Sequence, residues 1–233
     1  MMSTDRKILN ISIIIPTLNE EKNLGSLLSS LKTTGETEII VADGGSRDKT
    51  LDIAEYYGSK TVHSSAGRGR QLNKGADSAT GDTFLFLHSD TFLPADYFRH
   101  ISSVLSLPET AGGAFHLRID APGTGYRLIE WGVNRRSNIL QMPYGDQALF
   151  VRRKLFYAAD KFPDQILLED VELVHRLKKF GKIRLAPAAV TTSPRRWRQG
   201  GLIRTTFLNQ VMLAGYLLRI DPKKLAKLYY YNK

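Results

Sequence analysis

The stretch ISIIIPTLNE, residues 11–20, decides how this chain is read. Ile11 to Ile15 is β-branched and apolar apart from Ser12, the pattern of a strand covered on both faces. Pro16 is expected to stop it. Beyond it, Leu24, Leu27, Leu28 and Leu31 recur at helical spacing, predicting a helix over Glu20 to Leu31 with Asn19 as its N-cap. The same alternation continues outward. Glu38 to Ala42 reads as a second buried strand, Asp48 to Tyr57 as a helix closed by Gly58, and Lys60 to His63 as a short strand. A helix opens at the glycine-rich Gly67-Arg68-Gly69-Arg70 and runs to about Ala79, and Thr83 to Leu87 makes a fourth strand. Such β-α repetition predicts an α/β fold with a mostly parallel sheet, right-handed crossovers and helices on both faces.

In parallel sheets of this kind ligands bind outside the carboxyl ends of the strands. Three motifs fall at that edge: Pro16-Thr17-Leu18-Asn19-Glu20, Asp43-Gly44-Gly45-Ser46 and His88-Ser89-Asp90. Asp43 follows a buried strand, where a carboxylate can accept hydrogen bonds from a base or ribose or can close a turn. Asp90 sits where it could hold Mg²⁺ or Mn²⁺ against diphosphate oxygens or could cap the turn before Pro94. His88 alone reads as a structural histidine. Arg68, at a helix start among glycines, suits a phosphate or a nucleobase edge. That stretch has neither the GxxxxGK[ST] spacing of a Walker loop nor a dinucleotide fingerprint. Glu169-Asp170 opens an amphipathic helix expected over Val171 to Phe180, where acids also serve the helix dipole.

The rest of the second half is less regular. Strands are expected over Gly113 to Ile119, Ala148 to Val151 and Ile183 to Ala186, and helices over Tyr126 to Ser137, Leu202 to Leu218 and from Pro222 through Tyr229. Pro194 to Gly201 reads as a loop. No internal repeat or linker divides the 233 residues, so one domain, 1–233, is expected. With no cysteine, thiolate metal sites are excluded, and a metal must sit on Asp, Glu, His or backbone oxygen. The N-terminus lacks the apolar stretch of a signal peptide and no apolar run approaches the ~20 residues of a membrane span, so a cytoplasmic protein is expected. Lys and Arg number 33 against 23 Asp and Glu, a net +10 that favours anionic partners. The basic clusters lack a recognised nucleic-acid module, so nucleic acid is not an expected partner.

Taken in order, five stretches resemble glycosyltransferase family 2, whose fold is the nucleotide-sugar-binding GT-A type. They are Ile13 to Glu20, Val41 to Thr50, Gly67 to Ala76, Leu87 to Thr91 and Leu168 to Asp170. The tail from Ser193 to Gly201 further resembles a small bacterial subgroup found near radical-SAM-associated genes. The resemblance implies an enzyme that moves a sugar from a nucleotide-diphosphate sugar to an acceptor hydroxyl, metal-dependent and inverting. It implies a donor half over about 10–110, an acceptor and catalytic half over about 111–190, and a C-terminal loop with helices over about 191–233.

The same resemblance implies roles by residue. Pro16, Thr17, Asn19 and Glu20 would line the nucleotide pocket with Ser89, Asp43 would contact base or ribose, and Arg68 would lie near the base. Asp90 would hold the divalent cation and Asp170 would be the general base. The chain departs from the family at His88, which replaces the first acid of the DxD element. Asp146 and Gln147 stand either at the acceptor side or in a turn. Arg196 and Trp197, within the Pro194 to Gly201 loop hinged by glycine, are expected on a lid over donor and acceptor. The apolar helix after it could dock on the sheet, on a second subunit as a homodimer, or peripherally on lipid. Rival readings are a sugar nucleotidyltransferase, disfavoured because its phosphate loop should follow the first strand, and a non-enzymatic binder of anionic ligands or membrane surfaces.

Overall fold

The computed structural model describes residues 9–31 and 37–231; residues 1–8, read above for a leader, lie outside the described part. Its eight-stranded sheet has the order β3-β2-β1-β4-β7-β6-β8-β5. The first four expected strands form the parallel half: β1 (Ile11–Thr17), β2 (Thr37–Asp43), β3 (Lys60–His63) and β4 (Thr83–Phe86). The helices between them are α1 (Leu24–Ser30), α2 (Thr50–Tyr56) and α3 (Arg68–Asp77). Pro16 does not stop β1, whose pairing with β2 runs on through Pro16↔Ala42 to Thr17↔Asp43. Helix α1 starts later than expected, because Asn19 adopts φ 55° and lies in the preceding loop.

Both faces of β1 and β4 are buried, and alternate side chains serve separate layers. Ile13, Ile15, Leu85 and Leu87 pack with Leu24, Leu27 and Leu28 of α1 on one side. Ile14, Phe84 and Phe86 pack with Leu72 and Ala76 of α3 on the other, where Phe84, Phe86, Phe156 and Phe162 meet edge to face or tilted.

The remaining strands are β5 (Thr91–Phe92), β6 (Thr110–Ile119), β7 (Phe150–Arg152) and β8 (Lys182–Thr192). Strand β8 is far longer than the expected Ile183 to Ala186 because it follows β6 past two irregularities in register. The other helices are α4 (Tyr97–Ser106), α5 (Thr124–Leu140), α6 (Arg153–Ala158), α7 (Glu169–Leu177), α8 (Arg195–Gly200), α9 (Leu202–Leu217) and α10 (Pro222–Tyr231). Helices α4 and α6 are not among the expected elements.

Pro194 to Gly201 is a helix rather than the expected hinged loop. Ser193 Oγ accepts from Arg195 N at 3.2 Å at its start, and Trp197 is buried against Leu117 and Ile119 of β6. Of the two glycines only Gly201 has a positive φ, 77°; Gly200 packs so that a Cβ would stand 2.5 Å from Thr205 Oγ1.

Glu38 fastens the opposite end of the sheet. Its Oε1 accepts from Ser12 Oγ at 2.5 Å, Thr80 N at 2.5 Å, Thr80 Oγ1 at 2.9 Å and Gly81 N at 3.1 Å. Burial pushes this carboxyl up, but those donors outweigh it and hold the pKa below the ordinary 4.5. Glu38→Ala should therefore cost about 2 kcal/mol at neutral pH, seen as a melting temperature lower by roughly 4–8 °C. A depressed carboxylate pKa stabilises above its unfolded value and loses that effect on acidification. The gap between variant and wild type should narrow as pH falls below 4.5.

Candidate active site

The loops after β1 and β2 are strapped together at the carboxyl edge of the sheet. Asn19 N donates to Ser46 Oγ at 2.9 Å, Arg47 N donates to Asn19 Oδ1 at 2.8 Å, and Glu20 N donates to Thr50 Oγ1 at 2.8 Å. Asn19 is thus an exposed strap. From α3, Gln71 Nε2 donates to Thr17 O at 2.7 Å and Ala42 O at 3.0 Å, tying both strand ends to the helix. Gly44 is required by that approach, since a Cβ there would stand 3.0 Å from the Gln71 amide carbon.

Asp43, expected at a base or ribose, is fully buried and occupied by this turn. It accepts from Gly45 N at 2.8 Å, Ser46 N at 2.9 Å, Ser46 Oγ at 2.5 Å and Thr17 Oγ1 at 3.3 Å. Burial raises its pKa, but these donors outweigh it and leave it lowered. A carboxylate offers about four lone-pair sites, so a bound base could reach Asp43 only by exchange with one of those donors.

A cavity of about 260 Å³ opens above this edge. Pro16, Thr17, Glu20, Arg68, Ser89, Asp90, Asp146, Arg196 and Trp197 line it, so nine expected residues from five segments converge. Gln71, His88, Thr192, Ser193 and Arg195 line it as well. Arg195 is central: its Nη2 donates to Glu20 Oε1 at 3.1 Å and to Asp90 Oδ2 at 3.4 Å. Burial raises the Asp90 pKa, opposed by Arg195 and reinforced by Glu20.

His88 is half-buried beside Arg68 and Arg196, and desolvation with these two cations lowers its pKa to about 3. It is a neutral imidazole at physiological pH. The position that departs from the family's acidic pair therefore adds no charge to the cavity.

Asp170 lines an adjoining space of about 70 Å³ with Tyr144, Asn209, Met212 and Tyr229. Arg68, His88, Asp146 and Arg196 line both spaces and form the wall between them. Asp170 Oδ2 accepts from Gly145 N at 2.6 Å, and Oδ1 accepts from Val171 N at 2.8 Å. A Cβ on Gly145 would lie 3.1 Å from both Asp170 Oδ2 and His88 Nε2, so glycine permits their convergence. Leu168, just before the acid pair, is held at φ 62°, a strained conformation for leucine.

Glu169, by contrast, is consumed by Arg68, whose Nε donates to Glu169 Oε1 and joins α3 to α7. Burial raises the Glu169 pKa against the pull of Arg68. Gln147 does not line either space. Its side chain is buried, accepting from Ser137 Oγ at 2.7 Å and donating to Phe115 O at 2.9 Å.

Three buried polar atoms on these walls have no hydrogen-bond partner among the described residues: Tyr144 Oη, Asp146 Oδ1 and Trp197 Nε1. Buried polar groups left without a protein partner are candidates to meet a ligand. Tyr144 carried no signal in the sequence. The sequence marks His88 only as a structural residue that stands where the family has an acid.

The chain is 32% identical over 157 residues to a PGL/p-HBAD biosynthesis glycosyltransferase of Mycobacterium bovis, an overlap of 62% of this chain and 60% of that one. It thus spans about 60% of the length of that relative. Its fold is similar to that of S. aureus TarS 1-349 in complex with UDP-GlcNAc (TM-score 0.62, 21% identity, 79% of this chain and 58% of that one). It is also similar to the mannosyltransferase PcManGT from Pyrobaculum calidifontis in complex with GDP-Man and Mn²⁺ (TM-score 0.64, 17% identity, 87% and 64%). The fold is of the GT-A type. Residues 12–160, more than half of the chain and including four of the five stretches singled out above, match the model of Glycosyl transferase family 2, and the protein belongs to that family.

Proposed function

We propose that this protein transfers a sugar from a nucleotide-diphosphate sugar to an acceptor hydroxyl, with inversion at the anomeric carbon. One observation carries the reading. A cavity rimmed by Arg68, Arg195 and Arg196 at the carboxyl edge of parallel strands adjoins a second space that holds a backbone-anchored carboxylate, Asp170. Anion binding and proton acceptance are then arranged on either side of one wall. In this reading residues 10–110 serve the donor, 111–190 serve the acceptor, and the tail from 191 closes the site. Residues Ser193 to Gly201 carry the resemblance to the radical-SAM-associated subgroup.

In the transfer, the acceptor oxygen gives its proton to Asp170 and bonds to the anomeric carbon. The bond from that carbon to the diphosphate oxygen breaks, and its electron pair leaves with the nucleotide. Charge placed ahead of time around a leaving group is usually a large term in such steps. Arg68, Arg195 and Arg196 are placed to supply it. Asp146 Oδ1, Tyr144 Oη and Trp197 Nε1 are free to meet sugar or acceptor hydroxyls.

A divalent cation also fits the cavity. No three acidic or imidazole side chains gather as a full cage among the described residues. Glu20 and Asp90 nonetheless already share one cation, the Arg195 guanidinium. Mg²⁺ and Mn²⁺ are commonly held by one or two carboxylates with the rest of the shell from substrate phosphates and water. Asp90, with Glu20, would hold the ion, which when bound neutralises diphosphate charge.

Thermal shift with UDP-, GDP- and dTDP-sugars, each with and without Mn²⁺, tests the reading, since a ligand of the native state raises apparent stability. One sugar nucleotide should raise the melting temperature, and none doing so would remove the proposed function. In calorimetry, Mn²⁺ should tighten binding of the matching nucleoside diphosphate, and Asp90→Asn should weaken that metal-dependent binding by about tenfold or more, equivalent to about 1.4 kcal/mol. Equal affinity with and without metal in the wild type would defeat the metal assignment alone.

A further inference from the structure

Helix α9 is apolar on the side that the fold covers and on the side that it does not. Met212 and Leu213 are buried beneath it, while Ile203, Phe207, Leu217 and Leu218 are 84%, 64%, 56% and 75% exposed. Residues 203, 207, 210, 214 and 217 follow one another at helical spacing, so most of these side chains form a single outward stripe broken only by Gln210. A helix apolar all round is ordinarily covered all round. The neighbouring α5, which meets α9 where Leu202 packs over Gly125, adds Leu128 and Trp131, 68% and 63% exposed.

Charge states what kind of surface this face suits. Residues 195–233 hold nine Lys and Arg and one acid, Asp221, so this segment alone carries +8 of the net +10. Several of the cations lie at the end of α9 or on the helix packed against it. Lys223, Lys224 and Lys227 lie on the exposed side of α10, which packs on α9 through Leu225 and Gly215. At the C-terminal end of α9, Lys179 and Arg219 line a cleft of about 740 Å³ together with Phe180, Leu217 and Ile220. Nucleic acid would use the cations but offers nothing to Ile203, Phe207 and Leu218. A second copy of the chain would cover the apolar stripe but would bring its own +10 toward this one.

We infer that the outer face of α9, with the lysines of α10, docks on an anionic phospholipid surface. Apolar side chains at the level of the lipid headgroups and basic side chains against lipid phosphates are the two terms of interfacial binding. No helix among the described residues is long and apolar enough to cross a membrane, so the contact is peripheral. The same two helices wall the space that holds Asp170, through Asn209, Met212 and Tyr229. Docking therefore sets that space close to the membrane plane. The inference rests on the surface and does not depend on the sugar-transfer reading.

Co-sedimentation of the full chain with phosphatidylcholine vesicles, with and without phosphatidylglycerol, tests it. The protein should sediment with the anionic vesicles and stay in solution with the neutral ones. Raising NaCl from about 0.1 M to about 0.5 M should release it. Phe207→Glu, on an exposed position, and the Lys223→Glu, Lys224→Glu pair should each weaken vesicle binding by about tenfold or more while leaving the melting temperature unchanged. Failure to bind anionic vesicles, or equal binding by Phe207→Glu, would overturn the proposal. Two further results would also overturn it by giving the face to another partner: a dimer in sedimentation velocity that Phe207→Glu dissolves, or vesicle binding abolished by a DNA oligonucleotide that binds wild type and Phe207→Glu alike.

Discussion

Asp170→Asn is expected to bind the donor nucleotide as the wild type does and to lose about 10²- to 10⁴-fold in turnover, the usual span for a general base. The amide keeps the volume and can still accept from Gly145 N, so the position of the 3-10 turn at Gly145–Gln147 should hold. What it cannot do is take the acceptor proton. Binding measured by calorimetry and turnover measured by product formation separate the two effects. Near-normal turnover would remove Asp170 from this role and pass it to Asp146, the other carboxylate that lines the space around Asp170, whose pKa is raised by burial against Arg196 and Arg136. Glu169 is not the successor, because Arg68 already holds it.

Arg68→Met is expected to lower stability by about 2 kcal/mol, or roughly 4–8 °C in melting temperature, by stranding the Glu169 carboxylate in a buried position. The value is taken below the usual range for broken buried pairs because the Arg68 side chain is 38% exposed, although that of Glu169 is only 2% exposed. The pH dependence has a definite sign. Without Arg68, burial acts on Glu169 unopposed, its folded pKa rises further, and the folded state binds the proton more tightly than the unfolded state. Stability then falls as pH rises through the carboxylate range, so the deficit should be larger at pH about 8 than at pH about 5. Adding Glu169→Gln should restore much of the melting temperature by removing the charge. It should not restore donor affinity, which the proposed function assigns to the Arg68 guanidinium. A deficit equal at both pH values would show that the pair is not what holds α3 to α7.

Much of this arrangement follows from local pattern. Strands β1, β2 and β4 were legible because Ile13, Val41 and Phe84 belong to apolar runs, and strands covered on both faces demand such composition whatever the partner. Glycines and short polar residues after those runs placed the ligand edge. Elsewhere the pattern was ambiguous. Gln147 and Asp146 are adjacent, yet one is locked to Phe115 O in the core and the other faces the cavity. Asp43 looked like a ligand contact and proved to be filled by its own turn, since backbone amides two and three residues away cannot be counted until the turn is folded.

The sequence by itself determined the parallel half of the sheet, its edge, the family and most of the residues that would meet at that edge. These depend on side-chain periodicity and on strand ends, which are local properties. Tertiary structure alone decided how those residues are used. It set Arg195 between Glu20 and Asp90, 175 and 105 positions away in the chain. It gave Glu169 to Arg68 and turned Asp170 toward the neighbouring space, although the two acids are adjacent, because successive residues of a helix point in different directions. It also turned Pro194 to Gly201 from a loop into a helix. Trp197 finds its apolar partners on β6, far back along the chain, and no local pattern could have shown that they would be there.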